Sequence, residues 1–311
     1  MKQLISIIIP AFNEEKNITA ISNAVLSVFA NINYEYEIIF IDDGSKDNSA
    51  TILKDLAATN KNIKFILFSR NFGKDNALSA GLKLSKGNAI ITLDADLQHP
   101  PEMIIQMLEL WQNGNEVVYT YREEQNEHAG KINHFGSSLF YKTVNKLSDI
   151  ELEDGTADYR LIDRKVVDVL NALPENDPFY RGLVKWVGFN QKSIPYTPNE
   201  RNAGKTKYNK KDLIRLALKG ITSFSTKPLN IAIYLGFTFS LLSLLYIPYA
   251  IISLINNWAI SGWSSVIVTI AFFGGLQLMI LGIIGLYLGK LFMQTKQRPH
   301  YIIRETNITN E

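Results

Sequence analysis

Short apolar runs alternate with amphipathic segments through the first third of the chain. The apolar runs, at residues 4–9, 37–41, 63–68 and 89–93, are rich in Ile and Phe and end at turn residues. This pattern is typical of buried strands. Helical patterns follow these runs near residues 14–30, 47–59, 74–86 and 101–113. The alternation predicts an α/β domain whose sheet is mostly parallel and carries helices on both faces.

The pattern continues less regularly beyond residue 115. It predicts a strand at 115–121, a helix around 131–147 and further elements near 156–163 and 187–196. The N-terminal apolar run is too short to span a membrane and leads directly into polar residues, so we interpret it as the first buried strand.

Two long runs without a charged residue, at 229–255 and 263–288, follow this domain. Each exceeds the roughly 20 apolar residues that cross a hydrocarbon core of about 30 Å. A pair of buried core helices is the alternative, but uncharged helices this long are rare in soluble domains. The sequence therefore predicts two transmembrane helices.

Basic residues flank these two runs on their outer sides. Five Lys or Arg residues lie between 210 and 227, four lie between 290 and 304, and the connecting segment 256–262 has no charge. The positive-inside rule therefore predicts that both termini and the catalytic part are cytoplasmic. The predicted segments are a catalytic domain (1–208), a juxtamembrane amphipathic segment (209–228), a transmembrane hairpin (229–293) and a cytoplasmic tail (294–311).

The juxtamembrane segment has helical spacing at residues 210–224. Its apolar residues gather on one face, and Asp212, Arg215 and Lys219 lie on the opposite face. Such a helix is suited to an anionic membrane surface. The alternative is an ordinary amphipathic helix that packs on the catalytic domain.

Composition excludes several classes of function. The formal net charge is only +2, without the concentrated basic face of a nucleic-acid-binding protein, so we expect no nucleic-acid partner. The chain has no cysteine, which excludes disulfides, thiolate metal sites and a cysteine nucleophile. Its sequence also has no H-E-x-x-H, G-x-S-x-G or P-loop motif.

Three polar clusters follow predicted strands: Asn13-Glu14, Asp42-Asp43-Gly44-Ser45 and Asp94-Ala95-Asp96. Ligands bind beyond the carboxyl ends of parallel strands, so these clusters predict one site. Asp94 and Asp96 are suited to a hard divalent cation that bridges two phosphates. Each cluster has a structural alternative, in which its polar residues form a turn or cap the following helix.

Several longer stretches occur in order along the chain: PAFNEE, IDDGSKDNS, SRNFGKDNALSAGL and DADLQHPPE. Together they resemble the inverting family-2 glycosyltransferases, which have the type-A, Rossmann-like fold. The later stretches DYRLIDRKV, FYRGLVKWVGF and ERNAGKTKY resemble the subgroup that acts on polyprenyl phosphates. That subgroup includes dolichol-phosphate mannose synthases and bacterial undecaprenyl-phosphate glycosyltransferases, and the C-terminal RPHY resembles the bacterial branch.

The resemblance implies roles for residues in these motifs. Mg²⁺ or Mn²⁺ would be held against the donor diphosphate by Asp94, Asp96 and Gln98, and Arg201 and Lys207 would close over that diphosphate. The residues that would bind the nucleotide-sugar are Pro10, Ala11, Glu14, Asp43, Asp94, Ala95, Arg201 and Lys207. The catalytic residues would be Asp96, Asp158, Arg201 and Lys207.

The acceptor site is placed by the same resemblance. Arg122 would bind the lipid phosphate, with Lys131 or His134 as a second basic residue. Asp158 matches a carboxylate near the reaction centre, but a phosphate monoester is already anionic at pH 7 and needs no general base. Asp158 would then position the sugar or orient Arg160.

The resemblance implies a bacterial inner-membrane enzyme that transfers glucose or N-acetylglucosamine from a UDP-sugar to undecaprenyl phosphate with inversion. The lipid product would pass to a flippase or to a transferase that uses lipid-linked sugars, and the enzyme would form a homo-oligomer. Three alternatives are a GDP-mannose-dependent synthase, a processive polysaccharide synthase and an inactive membrane scaffold. The processive synthase is disfavoured because no Q-x-x-R-W motif occurs.

Overall fold

A computed structural model describes residues 2–122, 155–175, 178–199, 219–256 and 262–309. Its strands form one sheet in the order β7-β5-β6-β4-β1-β2-β3-β8. The central strands β4, β1, β2 and β3 are parallel to one another. The strands are β1 (Leu4–Ala11), β2 (Glu35–Asp42), β3 (Ile63–Phe68), β4 (Ala89–Thr92), β5 (Val117–Arg122), β6 (Thr156–Asp163), β7 (Gln191–Tyr196) and β8 (Ile303–Thr306).

Helices cover both faces of this sheet. One face packs against α1, α2 and α4, and the other packs against α3, α5 and α6. Two longer helices, α7 and α8, follow the α/β domain. The helices are α1 (Ile18–Phe29), α2 (Ser49–Thr59), α3 (Lys74–Leu84), α4 (Met103–Gln112), α5 (Arg164–Ala172), α6 (Tyr180–Trp186), α7 (Lys227–Ile255) and α8 (Trp263–Thr295).

The apolar runs become strands because both of their faces are covered. In β1, Ile7 and Ile9 face one core and Ile8 faces the other, and all three are fully buried. A central parallel strand has no solvent face, which explains its continuous run of isoleucines. The predicted fold class, a mostly parallel α/β sheet of the type-A kind, is confirmed.

The C-terminal tail is part of this sheet. β8 pairs antiparallel with β3, and the Tyr301 ring stacks on Phe68 with 5.1 Å between centroids. The sequence pattern predicted only a tail for residues 294–311. A four-residue strand with one exposed face carries too few apolar positions to be recognised. The helix predicted at 131–147 lies outside the described residues.

The two long helices expose apolar side chains. α7 has 29 residues and α8 has 33. In α7, Phe237 is 70% exposed, and in α8, Leu278 is 71% exposed. Within the described residues, Phe272–Thr295 is the one helical stretch whose length and composition are sufficient to cross a membrane. The prediction of a second span, in α7, stays a prediction.

Residues 219–224, the described end of the juxtamembrane segment, are helical and pack on the catalytic domain. Lys219 Nζ lies 2.8 Å from a carboxylate oxygen of Asp75 in α3, and Ile221 is buried. The Phe224 ring lies 6.3 Å from the ring of Phe179. These six residues thus pack on the domain, whereas the predicted membrane-surface helix at 210–224 stays a prediction, since residues 210–218 lie outside the described residues.

Candidate active site

A cavity of about 260 Å³ lies at the carboxyl ends of β1, β2 and β4. In the sheet, β2 and β4 lie on opposite sides of β1, so the strand order reverses next to β1. Open α/β sheets bind ligands at such a topological switch point. The predicted site residues that line this cavity are Pro10, Ala11, Glu14, Asp43, Asp94, Ala95 and Asp96. Members of all three polar clusters therefore line one cavity, and its role as the functional site stays a prediction.

The loops after β1 and β2 are tied together by hydrogen bonds. The Asn13 amide donates to Ser45 Oγ (2.8 Å), and the Lys46 amide donates to Asn13 Oδ1 (2.9 Å). Asn13 adopts a left-handed backbone conformation, with φ of 54°. Such positions persist where the surroundings fix them, and the two hydrogen bonds to the loop after β2 fix this one.

Two adjacent aspartates after β2 have different structural tasks. Asp42 accepts the Ser45 amide and forms the turn. Asp43 accepts the amides of Phe72 (2.6 Å) and Gly73 (2.9 Å), and so fixes the loop that begins α3. Burial raises the pKa of the Asp43 carboxyl, and the two amides oppose that rise. Asp42 thus fits the turn interpretation, whereas neither aspartate caps α2, the helix that follows, whose first residue is preceded by Asn48 without a side-chain cap. Asp43 instead binds the loop before α3 and forms part of the cavity wall.

The two carboxylates after β4 fit a divalent cation that is shared with a diphosphate. Within the described residues, no group of three or more His, Cys, Asp or Glu side chains is arranged to hold a metal ion. Mg²⁺ is usually held by one or two carboxylates together with substrate phosphates. Asp94 and Asp96 both line the cavity and would supply the two carboxylates, while the substrate phosphates would complete the set of ligands. They would hold the ion only in the presence of a phosphate-bearing ligand.

Lys74, at the start of α3, links two of the predicted carboxylates. Its Nζ lies 2.6 Å from Asp94 Oδ1 and 2.8 Å from Asp158 Oδ2. Burial would lower the pKa of Lys74, but the charges of Asp158 and Asp94 outweigh burial and raise it. This lysine thus stays charged and occupies a cationic position beside the expected metal ligand.

Asp158 in β6 is held from its other side by Arg181 of α6. Arg181 Nε donates to Oδ1 (2.7 Å) and Nη2 donates to Oδ2 (2.9 Å). Burial would raise the pKa of Asp158, but the charges of Arg181 and Lys74 hold it well below its usual range. The nearest contact between Arg160 and Asp158 is longer, at 3.7 Å. Arg181, rather than Arg160, is the principal arginine partner.

His99 contacts the loop that carries Asp94 and Asp96. It is buried, its ring stacks on Tyr159 with 5.1 Å between centroids, and its Nδ1 accepts the Asp94 amide at 3.4 Å. Burial lowers the pKa of this imidazole, which favours the neutral form that accepts this hydrogen bond. Neither Lys74, Arg181 nor His99 was assigned a role from the sequence, although each lies within a motif that carried the resemblance.

Other predicted residues lie at the edge of the cavity or elsewhere. Gln98 meets Asp96 through its backbone amide (3.2 Å), and its side chain is not part of the cavity wall. Arg122 ends β5 opposite Tyr196 of β7, outside that wall. The predicted residues Lys131, His134, Arg201 and Lys207 lie outside the described residues.

Comparison with known families gives the class of protein to which this fold and cavity belong, a glycosyltransferase. The family model described as glycosyl transferase family 2 matches residues 6–170, and the chain belongs to that family.

Relatives extend the similarity over nearly the whole chain. The prophage bactoprenol glucosyl transferase homolog of Escherichia coli (strain K12) is 40% identical over 301 residues, which cover 96% of this chain and 98% of that protein. The bactoprenol glucosyl transferase of Shigella phage SfX is 39% identical over 301 residues, with the same coverage of both chains.

A solved structure with a similar fold is glucosyl-3-phosphoglycerate synthase from Mycobacterium tuberculosis in complex with Mn²⁺, UDP and phosphoglyceric acid. It is 17% identical with a TM-score of 0.49, and the match covers 71% of this chain and 76% of that one.

Proposed function

We propose that this protein transfers a monosaccharide from a nucleotide-sugar to a polyprenyl phosphate, with inversion, at the cytoplasmic face of a bacterial inner membrane. The observation that carries the proposal is the cavity at the switch point, whose lining includes Asp43, Asp94 and Asp96. The relatives named as bactoprenol glucosyl transferases support a lipid phosphate as acceptor and glucose as the sugar. UDP-glucose is thus the first donor to test, followed by UDP-N-acetylglucosamine.

The donor would lie along the rim formed by three loops. Pro10, Ala11 and Glu14 would contact the nucleoside, and Asp43 would bind the base or ribose while it holds the loop at Phe72. Mg²⁺ or Mn²⁺ bound by Asp94 and Asp96 would neutralise charge on the departing diphosphate.

Arg201 and Lys207 would close the donor site from the ERNAGKTKY segment, because cationic groups stabilise a leaving diphosphate. Arg122 and Lys131 would bind the acceptor phosphate, whose anionic oxygen attacks the anomeric carbon directly. Asp158 is a poor general base, since its pKa lies well below its usual range. Its contacts with Lys74 and Arg181 suit a residue that orients the cationic groups around the sugar.

Membrane attachment is supported by the exposed apolar surface of α7 and α8, which would be unfavourable in water. Residues 219–224 and β8 both pack on the catalytic domain, before α7 and after α8 respectively. A chain that leaves and returns to one domain crosses a membrane an even number of times. Together with the charge pattern, this favours a hairpin with both termini in the cytoplasm.

A donor panel tests the proposal. Purified full-length protein is incubated with undecaprenyl phosphate and radiolabelled UDP-glucose, UDP-N-acetylglucosamine or GDP-mannose, with Mn²⁺ or Mg²⁺. We expect organic-extractable label from UDP-glucose that disappears with a chelator. Label from GDP-mannose alone would assign a mannose-transferring synthase, and insoluble polymer would assign a processive synthase. Nucleotide binding without any transfer would contradict the proposal and favour a scaffold.

A further inference from the structure

A second and larger cavity, of about 1,150 Å³, lies between the catalytic domain and the end of α8. Its walls come from residues 70–73 and Asn76, from Glu175, from Thr222 and Ser223, and from eleven residues between Leu286 and Ile302. Asn71 and Gly73 line both this cavity and the smaller one beside Asp94. The segment 71–73 therefore separates the two spaces.

The wall of the large cavity is rich in positive charge. Arg70, Lys290 and Arg298 carry permanent charges, and Glu175 is the one carboxylate among the described lining residues. Two of the cations have fixed positions: the Arg70 guanidinium lies 4.0 Å from the centroid of the Phe72 ring, and Lys290 Nζ donates to Ser223 Oγ at 3.2 Å. This charge balance favours an anionic ligand, and arginine is well suited to phosphate.

Apolar side chains of α8 form another part of the wall. Leu286, Leu291 and Met293 line the cavity, and each is more than half exposed. All three lie near the end of the stretch Phe272–Thr295, which is apolar and long enough to cross a membrane. Basic side chains at the end of an apolar helix lie at the level of lipid headgroups. The cavity thus combines an anion-binding part with an apolar part at that depth.

From this geometry we propose that the large cavity binds the phosphate headgroup of an anionic bilayer phospholipid, with the acyl chains along α8. Arg70 and Arg298 bind the phosphate, and Leu286, Leu291 and Met293 contact the chains. This site is separate from the acceptor position at Arg122. A further consequence rests on the proposed function. The backbone amides of Phe72 and Gly73, in the segment between the two cavities, donate hydrogen bonds to Asp43. A headgroup bound in the large cavity therefore steadies this segment and, through Asp43, the donor side of the active site.

Lipid binding is measured directly, without reference to transfer. Full-length protein is exchanged into mixed micelles of phosphatidylglycerol and phosphatidylcholine, and retained lipids are counted by native mass spectrometry. We expect retained phosphatidylglycerol, bound about tenfold more weakly in Arg70→Gln and in Arg298→Gln because each removes a charge-assisted contact. The control is Lys296→Gln, since Lys296 lies at the end of α8 over the Phe292 ring and outside the cavity wall. Equal loss in all three variants, or no preference over phosphatidylcholine, would overturn the proposal.

A competition arm separates a bulk lipid from the acceptor. Undecaprenyl phosphate, added at the concentration that saturates transfer, is expected to leave phosphatidylglycerol bound. Displacement at that concentration would reassign the cavity to the acceptor and overturn the proposal. In nanodiscs, the donor KM is expected to be lower with phosphatidylglycerol than with phosphatidylcholine alone, and this difference is expected to disappear in Arg298→Gln. A protein that retains the lipid but shows no transfer would contradict the proposed function and leave the lipid site standing.

Discussion

Arg181 binds both carboxylate oxygens of Asp158, with Nε 2.7 Å from Oδ1 and Nη2 2.9 Å from Oδ2. Lys74 lies on the other side, between Asp158 and Asp94. A row of alternating charges thus runs from α6 through β6 to the expected metal ligand. This order supports the proposal that Asp158 is a positioning residue, because its oxygens are already engaged by cations.

We predict that Arg181→Lys lowers kcat about 10- to 100-fold, the usual range when an outer partner of an active-site group is lost. Lysine keeps the charge but lacks the planar fork that binds both oxygens. The donor KM is expected to change little, because Arg181 does not line the donor cavity. Steady-state kinetics with purified protein check this prediction. Wild-type kcat in Arg181→Lys would show that charge alone is sufficient.

The low pKa of Asp158 has a consequence for pH dependence. Because its folded-state pKa lies well below the usual value near 3.9, Asp158 stays ionised throughout the range of an activity assay. Its contribution to folding stability is fully present above that value and is lost only as pH falls further, through the folded pKa. The pH profile of kcat/KM between pH 5.5 and 8.5 is thus expected to have the same shape in Asp158→Asn as in wild type, at a lower level. A limb of the wild-type profile that disappears in Asp158→Asn would identify a general base.

Gly44 is a point where backbone conformation and close packing meet. Its φ is 69°, and an added Cβ would lie 2.4 Å from the backbone carbonyl carbon of Arg70. We predict that Gly44→Ala destabilises the protein by about 2–4 kcal/mol, from left-handed strain and overpacking. The matched control is Gly114→Ala, which has φ of 90° and open space around the added carbon. It is expected to cost about 1–2 kcal/mol. Urea unfolding in detergent compares the two, and equal costs would show that the Arg70 contact is readily relieved.

Asp96→Asn tests the role of the cation. Removal of one carboxylate from an incomplete ligand set is expected to lower transfer at least about 100-fold, on the scale of losing one group that stabilises transition-state charge. Excess Mn²⁺ is expected to restore only part of that activity. Asp168→Asn is the control, because Asp168 is an exposed carboxylate, 63% accessible, on α5. A metal titration that is the same in Asp96→Asn and wild type would exclude Asp96 as a ligand.

The absence of cysteine makes the topology measurable with single added thiols. Asn256→Cys lies at the end of α7, whereas Lys61→Cys and Thr309→Cys lie on the catalytic domain and after β8, and all three positions are exposed. In intact spheroplasts, a membrane-impermeant maleimide is expected to label the first variant only. The other two are expected to react only after permeabilisation. Labelling of all three from outside would contradict the hairpin.

The sequence predicted the central fold well because its strands are buried on both faces. The isoleucine runs that became β1 and β2 leave no alternative to a covered parallel sheet. α5 and α6 were not predicted, since they have only nine and seven residues. β8 was also missed, because its pairing depends on β3, more than 230 residues earlier in the chain.

For the candidate site, the order of strands along the sequence predicted which carboxylates lie together, but it did not predict the basic residues that contact them. Strand ends meet at one edge of a parallel sheet, so Asp43, Asp94 and Asp96 were correctly expected together. Lys74 and Arg181 meet Asp158 only because α3 and α6 pack on the same face of the sheet. No spacing rule connects three positions that are so far apart in the chain.

The central claim is that the attacking group is a lipid phosphate. The most direct measurement is single-turnover transfer with equimolar UDP-glucose and undecaprenyl phosphate, in which released UDP and the lipid product are quantified together by mass spectrometry. We expect equal amounts of UDP and undecaprenyl-phosphate glucose, and no UDP release when the lipid is omitted. UDP release that is independent of the lipid, with free glucose as the product, would contradict it.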